Sequence, residues 1–328
     1  MKRIVLLLIV FFGFCFGKYD VGAFTKECEA NNSKSCFSLG LIYANGDGQM
    51  QDFTKASQFY KKSCDLQNAR ACNNLGLLYR DGDGVKEDSK QAVFLFEKSC
   101  DLEKTHGCNS LGYMYRIGKG VLQDQQKAVK LYELSCDNGL PLGCYNLGYM
   151  YDKGFGVKQD YKKSIELYEF ACDENEGFAC NNLGMFYLEG KKILGVDKQK
   201  AFELFQKSCD IGEAIGCGNL GYMYDMAYKK VHDIKKAVAL YTSSCDAGIN
   251  PSCHNLAILY EDGDGVKKDF KKSYELYSKA CDKNYNISCH NIAVLYQSGK
   301  GVKKSKIEAK KYFKKSCNLG YKDSCRYM

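Results

Sequence analysis

The residues whose type and spacing invite chemistry are eighteen cysteines that come in pairs. They fall at 28/36, 64/72, 100/108, 136/144, 172/180, 209/217, 245/253, 281/289 and 317/325, the members of each pair eight positions apart. Such a pair can bind a metal, cycle between thiol and disulfide, or staple two elements together. Zinc takes cysteines about two to four residues apart and four ligands in one place, which isolated pairs do not supply. Redox work needs a site that favours the thiolate. Here Asp65, Asp101, Asp137, Asp173, Asp210, Asp246 and Asp282 directly follow the first cysteine of their pairs, and a neighbouring negative charge opposes a thiolate. The expectation is nine structural disulfides: Cys28–Cys36, Cys64–Cys72, Cys100–Cys108, Cys136–Cys144, Cys172–Cys180, Cys209–Cys217, Cys245–Cys253, Cys281–Cys289 and Cys317–Cys325. No metal and no cofactor is expected.

The elements that must position these pairs repeat with them. Successive pairs are thirty-six residues apart, with one step of thirty-seven between Cys172 and Cys209. A fixed period of this size marks a solenoid. Each unit reads as two helices. In "CNNLGLLY", Cys72, Leu75, Gly76 and Tyr79 form an amphipathic stripe; "RDGDGV" is a glycine turn; in "SKQAVFLFEKSC", Ala92, Leu95, Phe96, Ser99 and Cys100 form a second stripe. The small Ala and Ser columns let helices approach closely. A short loop between antiparallel helices brings each pair of cysteines roughly 5–6 Å apart at Cα, which suits a disulfide. The expected organisation is a leader at 1–17, a half-helix cap at 18–35, and eight αα repeats at 36–71, 72–107, 108–143, 144–179, 180–216, 217–252, 253–288 and 289–324. A tail follows at 325–328. The fold class is an all-α αα-solenoid, expected as one elongated domain. The two prolines, Pro141 and Pro251, read as parts of the staple loops, and 190–232 is the least regular stretch.

"NLGLLYRDGDGV", "NLGYMYDKGFGV" and "NLAILYEDGDGVKKD" resemble the Sel-like repeat (SLR) family, relatives of tetratricopeptide repeats. With the periodic cysteine staple behind an export leader, the chain resembles the Helicobacter cysteine-rich proteins over nearly its whole length. That resemblance implies a right-handed superhelix with a concave first-helix face. It also implies penicillin binding with slow β-lactamase activity. The residues themselves offer little for such hydrolysis: there is no S-x-x-K, S-D-N or K-T-G, and Tyr43-Ala44-Asn45 is a short Y-x-N match at a helix end.

The leader "MKRIVLLLIVFFGFCFG" has Lys2 and Arg3, an apolar run and small residues at a cleavage point after Gly17; an uncleaved or lipid anchor at Cys15 is the alternative. Cleavage lowers the net charge from +8 to +6 and leaves an even number of cysteines, as disulfide-bonded exported chains have. A secreted protein, extracellular or periplasmic and without a membrane span after cleavage, is expected. Interleaved charges argue against a nucleic-acid partner. "DGDGV" at 81–85 and 262–266 lacks the further acidic ligands of a calcium loop.

A polar row just after the second cysteine offers a binding face: Asn74, Ser110, Asn146, Asn182, Asn219, Asn255 and Asn291. An amide supplies donor and acceptor together at a regular spacing. Tyr113, Tyr149 and Tyr222 share an adjoining column with aliphatic residues, and Arg116 belongs to a row that varies from unit to unit. The candidate ligand-binding set is Asn74, Tyr113, Arg116, Asn146, Tyr149, Asn182, Asn219, Tyr222, Asn255 and Asn291. The alternative for each Asn is to cap a helix or bond the neighbouring repeat. The expected partner is a peptide or peptide-like ligand, a β-lactam or cell-wall peptide among them, or another protein such as a host one. Catalytic residues are not identifiable.

Overall fold

The computed structural model describes residues 20–48, 50–190, 195–226 and 233–327. The expected leader, Cys15 and parts of 190–232 lie outside them. The chain divides into two compact units, Met1–Gln159 and Asp160–Met328, where one domain was expected. In a stacked array each repeat contacts only its neighbours, so no single core has to span the chain.

The first unit holds α1 (Val21–Glu29), α2 (Ser33–Asn45), α3 (Phe53–Asp65), α4 (Ala69–Asp81), α5 (Ser89–Leu102), α6 (His106–Ile117), α7 (Gln125–Asp137) and α8 (Pro141–Lys153). The second holds α9 (Tyr161–Asp173), α10 (Gly177–Glu189), α11 (Lys198–Asp210), α12 (Ala214–Asp225), α13 (Ile234–Asp246), α14 (Asn250–Asp262), α15 (Phe270–Asp282), α16 (Asn286–Ser298) and α17 (Lys306–Asn318). A 3₁₀ helix at Lys322–Tyr327 carries Cys325. No strand occurs among the described residues, and the fold is an all-α solenoid of disulfide-bearing repeats.

Even-numbered helices from α2 to α16 open the repeats, and odd-numbered ones from α3 to α17 close them. Most opening helices start three residues before the second cysteine, as Ala69 precedes Cys72. That cysteine sits inside the first turn, where it faces the preceding helix. The nine bridges hold Cα pairs 4.5–5.0 Å apart. Pro141 and Pro251 lie in the first turns of α8 and α14 rather than in loops, where proline's missing N–H leaves no bond unmade.

Each closing helix is capped by a side chain that accepts a backbone amide of its first turn. Asp52, Asp88, Asp124, Asp160, Asp197, Asp233 and Asp269 do this, and Ser305 does it for α17. Except for α12, whose last turn closes on Met226 at φ −74°, opening helices end on a left-handed glycine, such as Gly82 at φ 79°. Two residues on, Gly84 has φ 67°, and a Cβ there would fall 2.3 Å from the Phe53 carbonyl carbon. The turn therefore lies directly on the start of the preceding closing helix.

The core is a string of local clusters. Leu75 and Leu78 of α4 pack with Ala56 and Tyr60 of α3; Leu111 and Met114 of α6 pack with Ala92 and Phe96 of α5. Leu78 and Met114 belong to a buried column beside the sequence-derived stripe, while Tyr79 sits half-buried on its flank. Gly76 is required by packing, since a Cβ there would meet the Phe96 ring at 2.6 Å. The Ser column does more than save space. Ser63, Ser99 and Ser244 each donate to a main-chain carbonyl in the first turn of the opening helix about thirty residues earlier, at Ser33, Ala69 and Ala214 (2.7 Å each). Each bond fastens the two helices of a repeat where their side chains are buried from water.

Candidate functional site

The Asn row divides into two bonding patterns. In one, it reaches across to the previous repeat: Asn146 Nδ2 donates to Asn109 Oδ1 (2.8 Å), Asn219 Nδ2 to Asn181 Oδ1 (2.7 Å), and Ser110 Oγ to Asn73 Oδ1 (2.8 Å). In the other, it serves a tyrosine hydroxyl fourteen residues earlier. Asn182 donates to Tyr168 (3.3 Å) and Asn255 to Tyr241 (3.2 Å), while Asn74 accepts from the Asn73 amide (3.4 Å) and Asn291 lies near enough to Tyr277 to oppose the rise that burial causes in its pKa. Asn73, Asn109 and Asn181 are buried behind them. Asn74, Asn146, Asn182, Asn219 and Asn255 thus each have a structural partner, and a ligand would have to use the remaining capacity of a half-buried amide.

The tyrosines of the closing helices are interior. Burial raises the pKa of Tyr241 and Tyr277, and the nearby carboxylates raise it further. Tyr241 donates to Asp225 Oδ2 (3.2 Å) and Tyr277 to Glu261 Oε2 (3.3 Å). Asp225, Tyr241 and Asn255 form a closed triad, and Glu261 and Tyr277 repeat its acid–tyrosine half.

In the second unit, Asn219, Tyr222 and Asn255 come together. They line a groove of about 360 Å³ between α10, α12 and α14, with Met185, Leu188, Ile215, Ile249 and Pro251 supplying apolar walls. Tyr222 is 40% exposed, and Ile258 and Val294 continue its column on α14 and α16, also exposed. A groove with apolar walls and two amides at its base suits a chain that presents both side chains and backbone polar groups. The aliphatic wall residues Leu188, Ile215 and Ile249 were not anticipated; their exposure depends on how three helices splay, which no single repeat records.

In the first unit, Tyr113, Arg116 and Tyr149 form a separate cluster. The Arg116 guanidinium carbon lies 5.2 Å from the Tyr113 ring centroid and 5.8 Å from that of Tyr149. Arg80 also approaches Tyr113 (5.9 Å) but is bound at both nitrogens to Asp81, at 2.8 and 2.7 Å. That pairing holds the Asp81 carboxyl below its usual pKa and engages the first acid of the glycine turn. His254 and His290 bond serines, Nδ1 to Ser288 Oγ at 2.9 Å and to Ser324 Oγ at 2.8 Å.

The model of the Sel1 repeat matches eight consecutive segments, residues 33–68, 69–104, 105–140, 141–176, 177–213, 214–249, 250–285 and 286–321. The chain belongs to the Sel1 repeat family. Its Sel1 repeats open where the opening helices start. A protective antigen of uropathogenic Escherichia coli with an SLR fold is similar at 27% identity and a TM-score of 0.60, over 93% of this chain and 74% of that one. A Sel1 repeat protein from Oxalobacter formigenes gives 26% identity and 0.67, over 76% and 99%. Cysteine-rich protein B of Helicobacter pylori is 31% identical over 52% of this chain and 97% of that one, with a TM-score of 0.23. No curated protein sequence matched. As a Sel1 repeat protein the chain is a repeat scaffold, a class that binds other proteins, and its nine disulfides belong outside a reducing cytosol. No described helix is long and apolar enough to cross a membrane.

Proposed function

We propose that this chain is an exported, disulfide-stapled scaffold that binds an extended peptide or peptide-like segment on its opening-helix face. The groove between α10, α12 and α14 carries the reading, because it sets Asn219 and Asn255 beside exposed Tyr222 and apolar walls. An extended segment alternates side chains with backbone amides, and this lining offers partners for both. Secretion to the periplasm or beyond fits nine bridges and the leader-like first seventeen residues. Hydrolysis of a β-lactam is implied by the family resemblance alone; Ser63, Ser99 and Ser244 spend their hydroxyls on main-chain carbonyls.

The test is a peptide array probed with the oxidised protein and with Tyr222→Ala. An aromatic anchor of this kind contributes about 1–3 kcal/mol to binding, so affinity for the hits should fall about fivefold or more. Unchanged binding removes the groove from the assignment.

A further inference from the structure

One repeat leaves open what its relatives close. Sixteen residues before each interior tyrosine of α13 and α15 stands an acid, Asp225 before Tyr241 and Glu261 before Tyr277, and the hydroxyl donates to it. The same position before Tyr132 of α7 is Arg116. Fourteen residues after Tyr132 stands Asn146, but its amide is turned to Asn109 (2.8 Å). Tyr132 is fully buried, and its hydroxyl faces the Arg116 guanidinium without reaching hydrogen-bond geometry. The Nε of Arg116 is buried and unpartnered as well. The guanidinium lies near enough to lower the tyrosine's pKa, against burial that pushes it up to about 12.

The charge is equally unmatched. Arg80 is held by Asp81, and Lys153 by Asp152 at 2.7 Å. Among the described residues no carboxylate lies within ion-pair distance of Arg116, which sits half-buried between the Tyr113 and Tyr149 rings. Unmade donors at a partly desolvated guanidinium are costly, and a planar anion satisfies several of them at once.

We propose that Arg116, flanked by Tyr113 and Tyr149 and backed by the Tyr132 hydroxyl, is a carboxylate-binding subsite for a peptide on the opening-helix face of the first unit. The inference rests on the peptide-binding reading above. The carboxylate supplies from outside what Asp225 and Glu261 supply from within their repeats. A peptide C-terminus and an Asp or Glu side chain share this chemistry.

The experiment passes random octapeptides over the immobilised oxidised protein in two syntheses, as free acids and as C-terminal amides. Retention of free acids at least about tenfold over amides, lost in Arg116→Gln, is the expected result and identifies a C-terminus. Amides retained only when they contain Asp or Glu, again dependent on Arg116, assign the subsite to an acidic side chain. Equal retention of both syntheses with no acidic preference overturns the carboxylate subsite and leaves peptide binding standing. Retention of neither overturns both readings. A preference that survives Arg116→Gln removes Arg116 from it. Tyr132→Phe is a second variant that preserves the fold, since Phe96, Phe205 and Phe313 occupy the same column. It should reduce the acid preference severalfold, and an unchanged preference removes the hydroxyl from the subsite.

Discussion

His254 occupies the column held by Asn73, Asn109 and Asn181 in other repeats, and there it is buried between the Tyr277 and Tyr285 rings, at 5.3 and 5.5 Å. Burial lowers its pKa to about 4 from an ordinary 6.5. A depressed histidine favours the fold fully above pH 6.5, where both states are neutral. As pH falls from 6.5 towards 4, the unfolded chain takes up a proton that the folded one refuses. That linkage removes about 3 kcal/mol at most. His290, also lowered by burial but opposed by Asp323, adds in the same direction. Urea unfolding followed from pH 7.5 to pH 4.5 should show α14–α16 weakening with acid, and His254→Asn should flatten that slope whatever its effect at neutral pH. Parallel slopes in the two proteins would exclude His254 as the source. None of this could be read from the residue alone. His254 is visible in the sequence, but its titration depends on two aromatic neighbours and on Ser288 from the next repeat.

At the scale of the helix, alternating cap chemistry explains how so many short elements of similar length keep their ends. Closing helices begin on a side-chain cap, whereas α6, α8, α10, α12, α14 and α16 begin without one, at a disulfide; α2 and α4 have both a bridge and an Asn cap, Asn32 and Asn68. A bridge fixes the entry of one helix, and an aspartate fixes the entry of the next. Asp88 Oδ1 accepts the Lys90 and Gln91 amides at 3.0 Å each. Asp88→Ala should therefore destabilise α5 by about 1 kcal/mol, read as a lower urea midpoint, while Asp88→Asn should restore most of it. If alanine and asparagine behave alike, the carboxylate is not serving as a cap. The helices themselves were legible because periodic apolar columns recur in every copy. The caps were not anticipated, although Asp52, Asp88, Asp124, Asp160, Asp197, Asp233 and Asp269 keep the cysteine period, because loop aspartates give no apolar stripe to draw attention. The Asn row was visible as a polar column, yet its division into cross-repeat bonds and tyrosine bonds depends on whether the previous repeat offers an amide: Asn109 takes the Asn146 donor although Tyr132 stands fourteen residues before it, whereas Tyr145 and Gly218 leave Asn182 and Asn255 to their tyrosines. Asn219 follows Phe205 and turns to Asn181; Asn182 follows Tyr168 and bonds it.

Across the molecule, agreement among repeats defines the architecture, and disagreement among them is where ligand chemistry is to be sought. Residues the same in nearly every copy, such as the cysteines, the turn glycines and the buried serines, all serve the joints between helices. The column of Arg116 and Leu188 and the column of Tyr222 both change from repeat to repeat, and these residues border a cluster or groove. The stability of such an array is approximately a sum of repeat and neighbour terms, so damage should remain local. Each bridge closes a loop of similar size, and closing one stabilises its repeat by about 2–3 kcal/mol in the chain-entropy treatment. Replacing Cys100 and Cys108 together by alanine removes that constraint from the α5–α6 joint without leaving a free thiol. Hydrogen exchange should then accelerate in α5 and α6, extend with smaller effect to α4 and α7, and leave α13–α16 at their original rates. A uniform acceleration that includes α13–α16 would show that the chain unfolds as one cooperative body, and that the bridges act globally rather than as joints.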